Sequence, residues 1–128
     1  MYSDSGRFLA TSHHHVVRIW DTRQYQLHAT LMGHFERVRS MAFSGDDQTL
    51  VTGADGGWTT FWDVRTGQEL MSYDLNMGAP YVAFSNRGQK LIAVSNTVRD
   101  DRLHGCLVDW SIAGNESVKH DASSISAP

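Results

Sequence analysis

The sequence predicts an all-β fold of consecutive four-stranded antiparallel sheets, because it repeats, because its apolar runs are short, and because it lacks helical periodicity. Each copy of the repeat has a polar turn followed by an apolar run. No segment shows a sustained 3.6-residue period with helix caps. A repeat near 41 residues that holds about four strands is typical of one blade of a β-propeller. The positions that recur at steps of 41 are Ser3, Ser44 and Ser85, and Leu9, Leu50 and Leu91.

The strands follow from runs that are bounded by polar and glycine-containing turns. The first copy predicts strands at 8–12, 16–20 and 26–31. The second predicts strands at 38–43, 49–53, 58–62 and 69–73, and the third at 80–84, 90–95 and 105–110. Gly56-Gly57 is predicted to be a hairpin turn. Runs that are apolar on both faces, such as Met41-Ala42-Phe43, favour sheets stacked between neighbours.

An aromatic strand closes each copy, with tryptophans at 20, 62 and 110. The first step between these tryptophans is 42 residues and the second is 48, so the third copy carries about seven extra residues. The extra residues fall within 96–105, a polar stretch between two strand-like runs. We therefore expect a lengthened hairpin loop there.

The repeat divides the chain into three predicted blades and a tail. Residues 1–112 form the propeller part, with a partial first blade at 1–33, a second blade at 34–75 and a partial third blade at 76–112. The polar residues 113–128 are expected to be disordered. The first blade lacks its innermost strand, and propellers need four to eight blades to close. We therefore expect a piece of a larger ring, as a fragment, a truncated product or an alternative transcript.

Composition narrows the class of protein. The net charge is −3, which argues against a strongly basic nucleic-acid surface. Cys106 is the single cysteine, so no intrachain disulfide can form, and this suits a reducing compartment. No apolar run approaches the roughly 20 residues that span a bilayer, and residues 1–6 lack the features of a signal peptide. A cytoplasmic protein without a membrane partner is expected.

The second copy resembles the WD40 repeat, with Gly33-His34 and Trp62-Asp63 where that family has Gly-His and Trp-Asp. The resemblance implies a buried hydrogen-bond relay that joins a loop His, a strand Thr, a turn Asp and the Trp indole. These roles fall on His34, Thr52, Asp55 and Trp62. Counted back from Trp62, the usual Asp position falls on Gly56, so a shifted turn is needed to bring Asp55 into the relay.

Within that family the chain resembles subunit I of the eukaryotic translation initiation factor 3 complex. The resemblance is carried by Leu31-Met32-Gly33-His34, by the loss of Gly-His at 76–79, and by the long stretch before the third aromatic strand. It implies a non-catalytic scaffold in translation initiation, with subunits B and G and the small ribosomal subunit as partners. It implies no cofactor, no small-molecule substrate and no sequence-specific nucleic acid. The alternatives are a signalling adaptor of the serine-threonine kinase receptor-associated type, or another WD40 scaffold.

Three clusters could carry chemistry. Arg99, Arg102 and His104 are predicted as a possible partner-contact loop, against a solvated loop as the simpler interpretation. His13-His14-His15 could ligate a metal, but adjacent strand residues alternate faces, so a polar turn is favoured. Asp100-Asp101 beside His104 could suggest acid–base chemistry, but neighbouring carboxylates in a polar segment are usually solvated. The sequence therefore predicts no catalytic, cofactor-binding or metal-ligating residue.

Overall fold

The residues that the structure describes form three antiparallel sheets, and in each of them the strand order follows the order of the chain. The computed structural model describes residues 1–74, 80–85, 90–99, 102–110 and 117–126, with side chains described for 1–74 and 81–84. The first sheet contains β1 (Phe8–His13), β2 (Val16–Asp21) and β3 (Gln26–Leu31). The second contains β4 (Val38–Phe43), β5 (Thr49–Ala54), β6 (Trp58–Asp63) and β7 (Glu69–Asp74). The third contains β8 (Pro80–Ser85), β9 (Lys90–Arg99), β10 (Arg102–Trp110) and β11 (Ser117–Ser126).

This architecture confirms the predicted fold class, an open arc of a β-propeller. All ten predicted strands form, most of them within a residue of the expected bounds. In the part of the chain that the structure describes, the one helical element is a short 3-10 turn at Asp55–Gly57. Within those same residues, no helix has the length and apolar character to cross a membrane.

Two sequence-based expectations for the third sheet were wrong. The stretch 96–105 does not form a long loop, because β9 continues to Arg99 and β10 resumes at Arg102, with these two residues paired. The extra residues lengthen both arms of the hairpin instead. The tail at 113–128 was expected to be disordered, but it contributes β11, which pairs with β10 along its length. Backbone hydrogen bonds do not require apolar side chains, and the polar composition of 117–126 misled the prediction.

Two of the recurring serines, Ser3 and Ser44, hold the turns that lead into β1 and β5. Ser44 donates its backbone N–H to the Thr49 carbonyl at 2.8 Å, and its hydroxyl oxygen accepts the Thr49 N–H at 3.0 Å. Ser3 makes the same pair of bonds with Phe8, at 2.9 Å and 3.1 Å. Both serines are buried. Ser3 and Ser44 are thus 41 residues apart because the same turn recurs, and in each turn a hydroxyl is needed to accept a strand N–H.

Residues 1–3 lie along the free edge of β1, where a four-stranded blade has its innermost strand. Tyr2 forms an isolated bridge with Leu9, and the Ala10 N–H donates to the Met1 carbonyl at 2.8 Å. We expected the first blade to lack this strand altogether, whereas the structure places a three-residue substitute at its position.

The first and second sheets stack face to face over a shared apolar core. Ile19 and Leu31 from the first sheet join Leu50 and Trp62 from the second, and each of these side chains is at most 1% exposed. Hydrogen bonds also cross between the sheets. The Val38 N–H donates to the His14 carbonyl at 2.8 Å, and an imidazole nitrogen of His28 lies 2.8 Å from the Val64 carbonyl. Consecutive blades are therefore joined by polar links as well as by packing.

Candidate functional site

Thr52 lies at the centre of a buried hydrogen-bond network in the second sheet. The Trp62 indole N–H donates to the Thr52 hydroxyl oxygen at 2.8 Å, and His34 Nε2 shares a short hydrogen bond with the same oxygen. The exposed fractions are 0% for Thr52, 1% for Trp62 and 6% for His34. A hydroxyl can accept the indole proton and still donate its own, so one threonine satisfies two buried ring nitrogens. The structure thus brings together three of the four residues assigned to the relay.

Strand register explains how Thr52 and Trp62 meet. Thr52 pairs with Thr60 and Leu50 pairs with Trp62 in the β5–β6 hairpin. Thr52 and Trp62 are therefore diagonal neighbours on one face of the sheet, within reach of a long aromatic side chain. The face is the one that stacks against the first sheet, since Trp62 belongs to the shared core.

His34 reaches the network from the loop between β3 and β4, which we call the rim loop (residues 32–37). Gly33 allows this loop to lie directly against the sheet. A Cβ at Gly33 would be 3.1 Å from Cη2 of Trp62 and 3.4 Å from Oε2 of Glu69. The His34 and Trp62 rings then contact edge to face at 5.8 Å between centroids. The Gly-His pair is thus explained by close approach at the first residue and hydrogen bonding at the second.

Burial sets the protonation state of His34. Desolvation lowers the pKa of its imidazole below the ordinary value of 6.5. No carboxylate among the described residues opposes this shift. His34 is therefore neutral at pH 7, with Nε2 facing the threonine hydroxyl as acceptor or donor according to its tautomer.

Asp55, the fourth residue expected in the relay, lies elsewhere. Both of its carboxylate oxygens bind the Arg39 guanidinium, at 2.8 Å from Nε and 3.1 Å from Nη2. Its side chain is about one-third exposed, unlike those of the network. The reason is the turn itself. Asp55 is fixed by its N–H bond to the Arg37 carbonyl, and the chain then reverses through Gly56 at φ +84°, so the usual Asp position has no side chain.

A pocket of about 200 Å³ opens beside the network, between the rim loop and the outer strand β7. Its floor includes the buried side chains of His34 and Thr60, and two carboxylates and two exposed aromatic rings also line it. Sequence reasoning missed this site. The available signal was Phe35-Glu36, an aromatic and an acid directly after Gly-His. The described lining residues are Gly33, His34, Phe35, Glu36, Ala54, Trp58, Thr60, Glu69 and Ser72.

The other sequence candidates are placed as follows. His14 and His15 form the β1–β2 turn, with His14 at φ +52°. Within residues whose side chains are described, no group of three or more His, Cys, Asp or Glu is arranged to hold a metal ion. The backbones of Arg99, Arg102 and His104 belong to β9 and β10, and their side chains lie outside the described residues.

Comparison with known proteins agrees with this geometry. Residues 25–63 match the family described as "WD domain, G-beta repeat". The match runs from the turn before β3, the outer strand of the first sheet, through β6, the third strand of the second. It therefore includes the rim loop and the three residues of the buried network.

Curated relatives match over part of their length. A "Guanine nucleotide-binding protein subunit beta" from Oryza sativa subsp. japonica is 38% identical over 72 residues, which is 56% of this chain and 19% of the relative. A "Target of rapamycin complex subunit LST8" from Saccharomyces cerevisiae is 33% identical over 72 residues, 55% of this chain and 24% of the relative. The chain spans about a fifth to a quarter of the length of these relatives.

A solved structure shows the same fold. The Myceliophteria thermophila Cps50 (Swd1) β-propeller domain superposes with a TM-score of 0.73, over 94% of this chain and 37% of that chain. The identity is 21%, so this likeness concerns the fold alone. It supports an arc of propeller blades as the architecture of the present sheets.

Proposed function

We propose that this chain is part of a non-catalytic scaffold that binds other proteins through the rim of its blades. The observation that carries the proposal is the way the buried network anchors the rim loop. His34 is held inside by Thr52, while its neighbour Phe35 is 97% exposed. A large apolar side chain on a fixed base is typical of an interface anchor, because little conformational entropy is lost on binding.

Two further side chains support an interface here. Met32 in the rim loop is 72% exposed, and Trp58, which lines the same pocket as Phe35, is 45% exposed. Single exposed apolar residues are common on protein surfaces, whereas an aromatic pair with a methionine nearby marks a contact region. The names of the relatives fit this role, since they describe a subunit of a guanine nucleotide-binding protein and a subunit of a target of rapamycin complex.

A finer assignment follows from the sequence resemblance. We propose that the parent protein acts in translation initiation, as a component like subunit I of initiation factor 3, with partner subunits of the B and G type and the small ribosomal subunit. The supporting features are the Leu31-Met32-Gly33-His34 run, the absent Gly-His at 76–79, and the extra residues at 96–105. Residues 76–79 lie outside the described residues. The extra residues lengthen the two strands of the β9–β10 hairpin.

The second candidate is a signalling adaptor of the serine-threonine kinase receptor-associated type. The names of the relatives favour it, since neither a guanine nucleotide-binding protein subunit nor a target of rapamycin complex subunit is named as a translation factor. Both candidates share the scaffold role and differ in the partner. We also propose that the parent is cytoplasmic and uses no cofactor, small-molecule substrate, sequence-specific nucleic acid or membrane.

Affinity purification of the tagged parent protein, with mass spectrometry and gradient sedimentation, tests these assignments. Recovery of initiation factor subunits and co-sedimentation with small ribosomal subunits supports the translation assignment. Recovery of receptor kinases or other signalling proteins supports the adaptor. If no initiation factor is recovered at low or physiological salt, the translation assignment is wrong.

A matched pair of variants tests the rim itself. Phe35→Ser should reduce partner recovery without unfolding the chain, because the ring is exposed. Tyr25→Ser is the control, since Tyr25 is 92% exposed but lies in the β2–β3 turn, outside the rim loop. Equal effects of the two substitutions would show that partners do not dock at this rim.

A further inference from the structure

We propose that the pocket between the rim loop and β7 binds one basic side chain, an arginine or a lysine, that a partner protein presents. The inference rests on the scaffold role proposed above, because it takes the occupant from a bound protein. The inference adds the chemical class of the partner group that is bound, which the scaffold role does not specify. The argument comes from the size, the walls and the charge of the pocket.

The size selects a single side chain. Pockets for cofactors and drug-sized molecules usually enclose about 300–1,000 Å³. The present pocket encloses about 200 Å³ and is partly open to solvent. It is too small for a whole small-molecule ligand of the usual kind, and it can receive the end of a long side chain from a partner surface.

The charge selects a cation. Glu36 enters the wall from the rim loop and Glu69 from β7, so two separate elements supply one carboxylate each. Neither forms an ion pair with another side chain in the part of the chain that the structure describes. The nearby guanidinium of Arg39 is held by Asp55 and does not line the pocket. A bound cation would therefore meet two unneutralised carboxylates.

The aromatic rings favour a basic side chain over a hydrated metal ion. Trp58 and Phe35 also line the pocket, and both rings are accessible. Aromatic faces attract ammonium and guanidinium groups, with tryptophan the strongest, while the apolar stem of the same side chain packs on the ring edge. The floor does not repel a cation, because burial keeps His34 neutral. Carboxylates, rings and an uncharged floor together are complementary to arginine or lysine.

Nuclear magnetic resonance on the full chain tests the proposal directly. The probe is an acetylated and amidated Gly-Ser-Gly-Arg-Gly-Ser-Gly peptide, and the readout is the Trp58 indole N–H resonance, assigned with Trp58→Phe. A single side chain should bind with a dissociation constant on the order of 1 mM. The matched peptide carries citrulline, which keeps the shape of arginine and lacks its charge, and it should leave the resonance nearly unmoved. A lysine peptide should behave like the arginine peptide.

Variants locate the binding. Glu36→Gln and Glu69→Gln keep the shape of the wall, and each should weaken binding of the arginine peptide about two- to fivefold, as expected for partly exposed ion pairs. Asp4→Asn is the control, because it removes the same charge from an exposed turn in the first sheet. An unchanged Trp62 indole resonance verifies in each case that the network and the fold are intact.

Three results would overturn the proposal: equal binding of the arginine and citrulline peptides, no movement of the Trp58 resonance, or unchanged affinity in both glutamine variants. These outcomes are distinct from a failure of the scaffold role. If the parent recovers partners and the glutamine variants recover them equally, the scaffold stands and the pocket is excluded as a contact. If the arginine peptide binds as described while no partner is recovered, the pocket stands and the proposed assembly does not.

Discussion

Trp20 in the first sheet and Trp62 in the second occupy the same place in the repeat, yet their surroundings differ. Each stands opposite a leucine on the preceding strand, Leu9 and Leu50 respectively. Each donates its indole N–H to the threonine two residues beyond that leucine, at 3.0 Å for Thr11 and 2.8 Å for Thr52. However, Trp20 is 37% exposed and Trp62 is 1% exposed.

The difference shows that the Trp–Thr bond belongs to the hairpin, whereas the burial of Trp62 comes from the first sheet, which packs against it, and from the rim loop. The hairpin register alone places the indole beside the hydroxyl, and this occurs in both sheets. In the second sheet the rim loop adds Gly33 against the Trp62 ring and His34 on the Thr52 hydroxyl. The same bond is thus exposed to water in one sheet and excluded from it in the other, and its contribution to stability should differ accordingly.

The largest expected effect is that of removing each indole in turn. Trp62→Ala should lower the free energy of unfolding by about 3–5 kcal/mol, because it leaves a cavity in the core between two sheets. Trp20→Ala should cost about 1 kcal/mol, since much of its ring already contacts water. Urea denaturation followed by circular dichroism measures both. Similar losses would mean that the first sheet and the rim loop do not shield Trp62 in solution.

Removing the loop histidine should have an intermediate effect. His34→Ala leaves the Thr52 hydroxyl without one of its buried partners and should cost roughly 1–3 kcal/mol of unfolding free energy. His13→Ala is the control, because His13 ends β1 at an exposed position and should change stability by less than about 0.5 kcal/mol. Denaturation curves for the two variants, measured at pH 7, should therefore separate clearly. Coincident curves would indicate that His34 is not part of a buried network.

The smallest effect is expected at Asp55. Asp55→Ala breaks an exposed ion pair with Arg39, and exposed pairs contribute little to stability. Its unfolding midpoint should lie close to that of Arg39→Ala, and both should lie close to that of the unsubstituted chain. If Asp55→Ala instead destabilises the chain as much as His34→Ala, the carboxylate acts in the network in solution, and the Arg39 pair is secondary.

Sequence reasoning was strongest where spacing determines structure. The 41-residue step located all ten predicted strands, because a blade needs the same number of residues each time to cross the sheet and return. The resemblance to the WD40 repeat, and not the spacing, assigned His34, Thr52 and Trp62 to one relay, and strand register and a close-approaching glycine bring them together. These features depend on local backbone geometry, which a repeat preserves.

Sequence reasoning failed where a one-residue offset in a turn determines the position of a side chain, and where pairing with a neighbouring strand determines whether a segment is a strand. Asp55 stands one residue before the position that faces the network, and only the turn geometry at Gly56 reveals where its carboxylate goes. Strand β11 has a polar composition, and it is recognisable only by its pairing with β10. The pocket was missed because Glu36 and Glu69 are far apart in sequence and become neighbours only after the sheets fold.

The segment that matches the WD40 repeat does not coincide with a sheet, since it starts before β3 and ends in β6. Copying such a unit during evolution would supply the outer strand of one blade together with the first three strands of the next. Each inherited unit therefore shares one sheet with the unit before it and another sheet with the unit after it. A gene could gain or lose one repeat and still leave each interior sheet with four strands. Propeller rings with different numbers of blades can thus arise by duplication of the repeat alone.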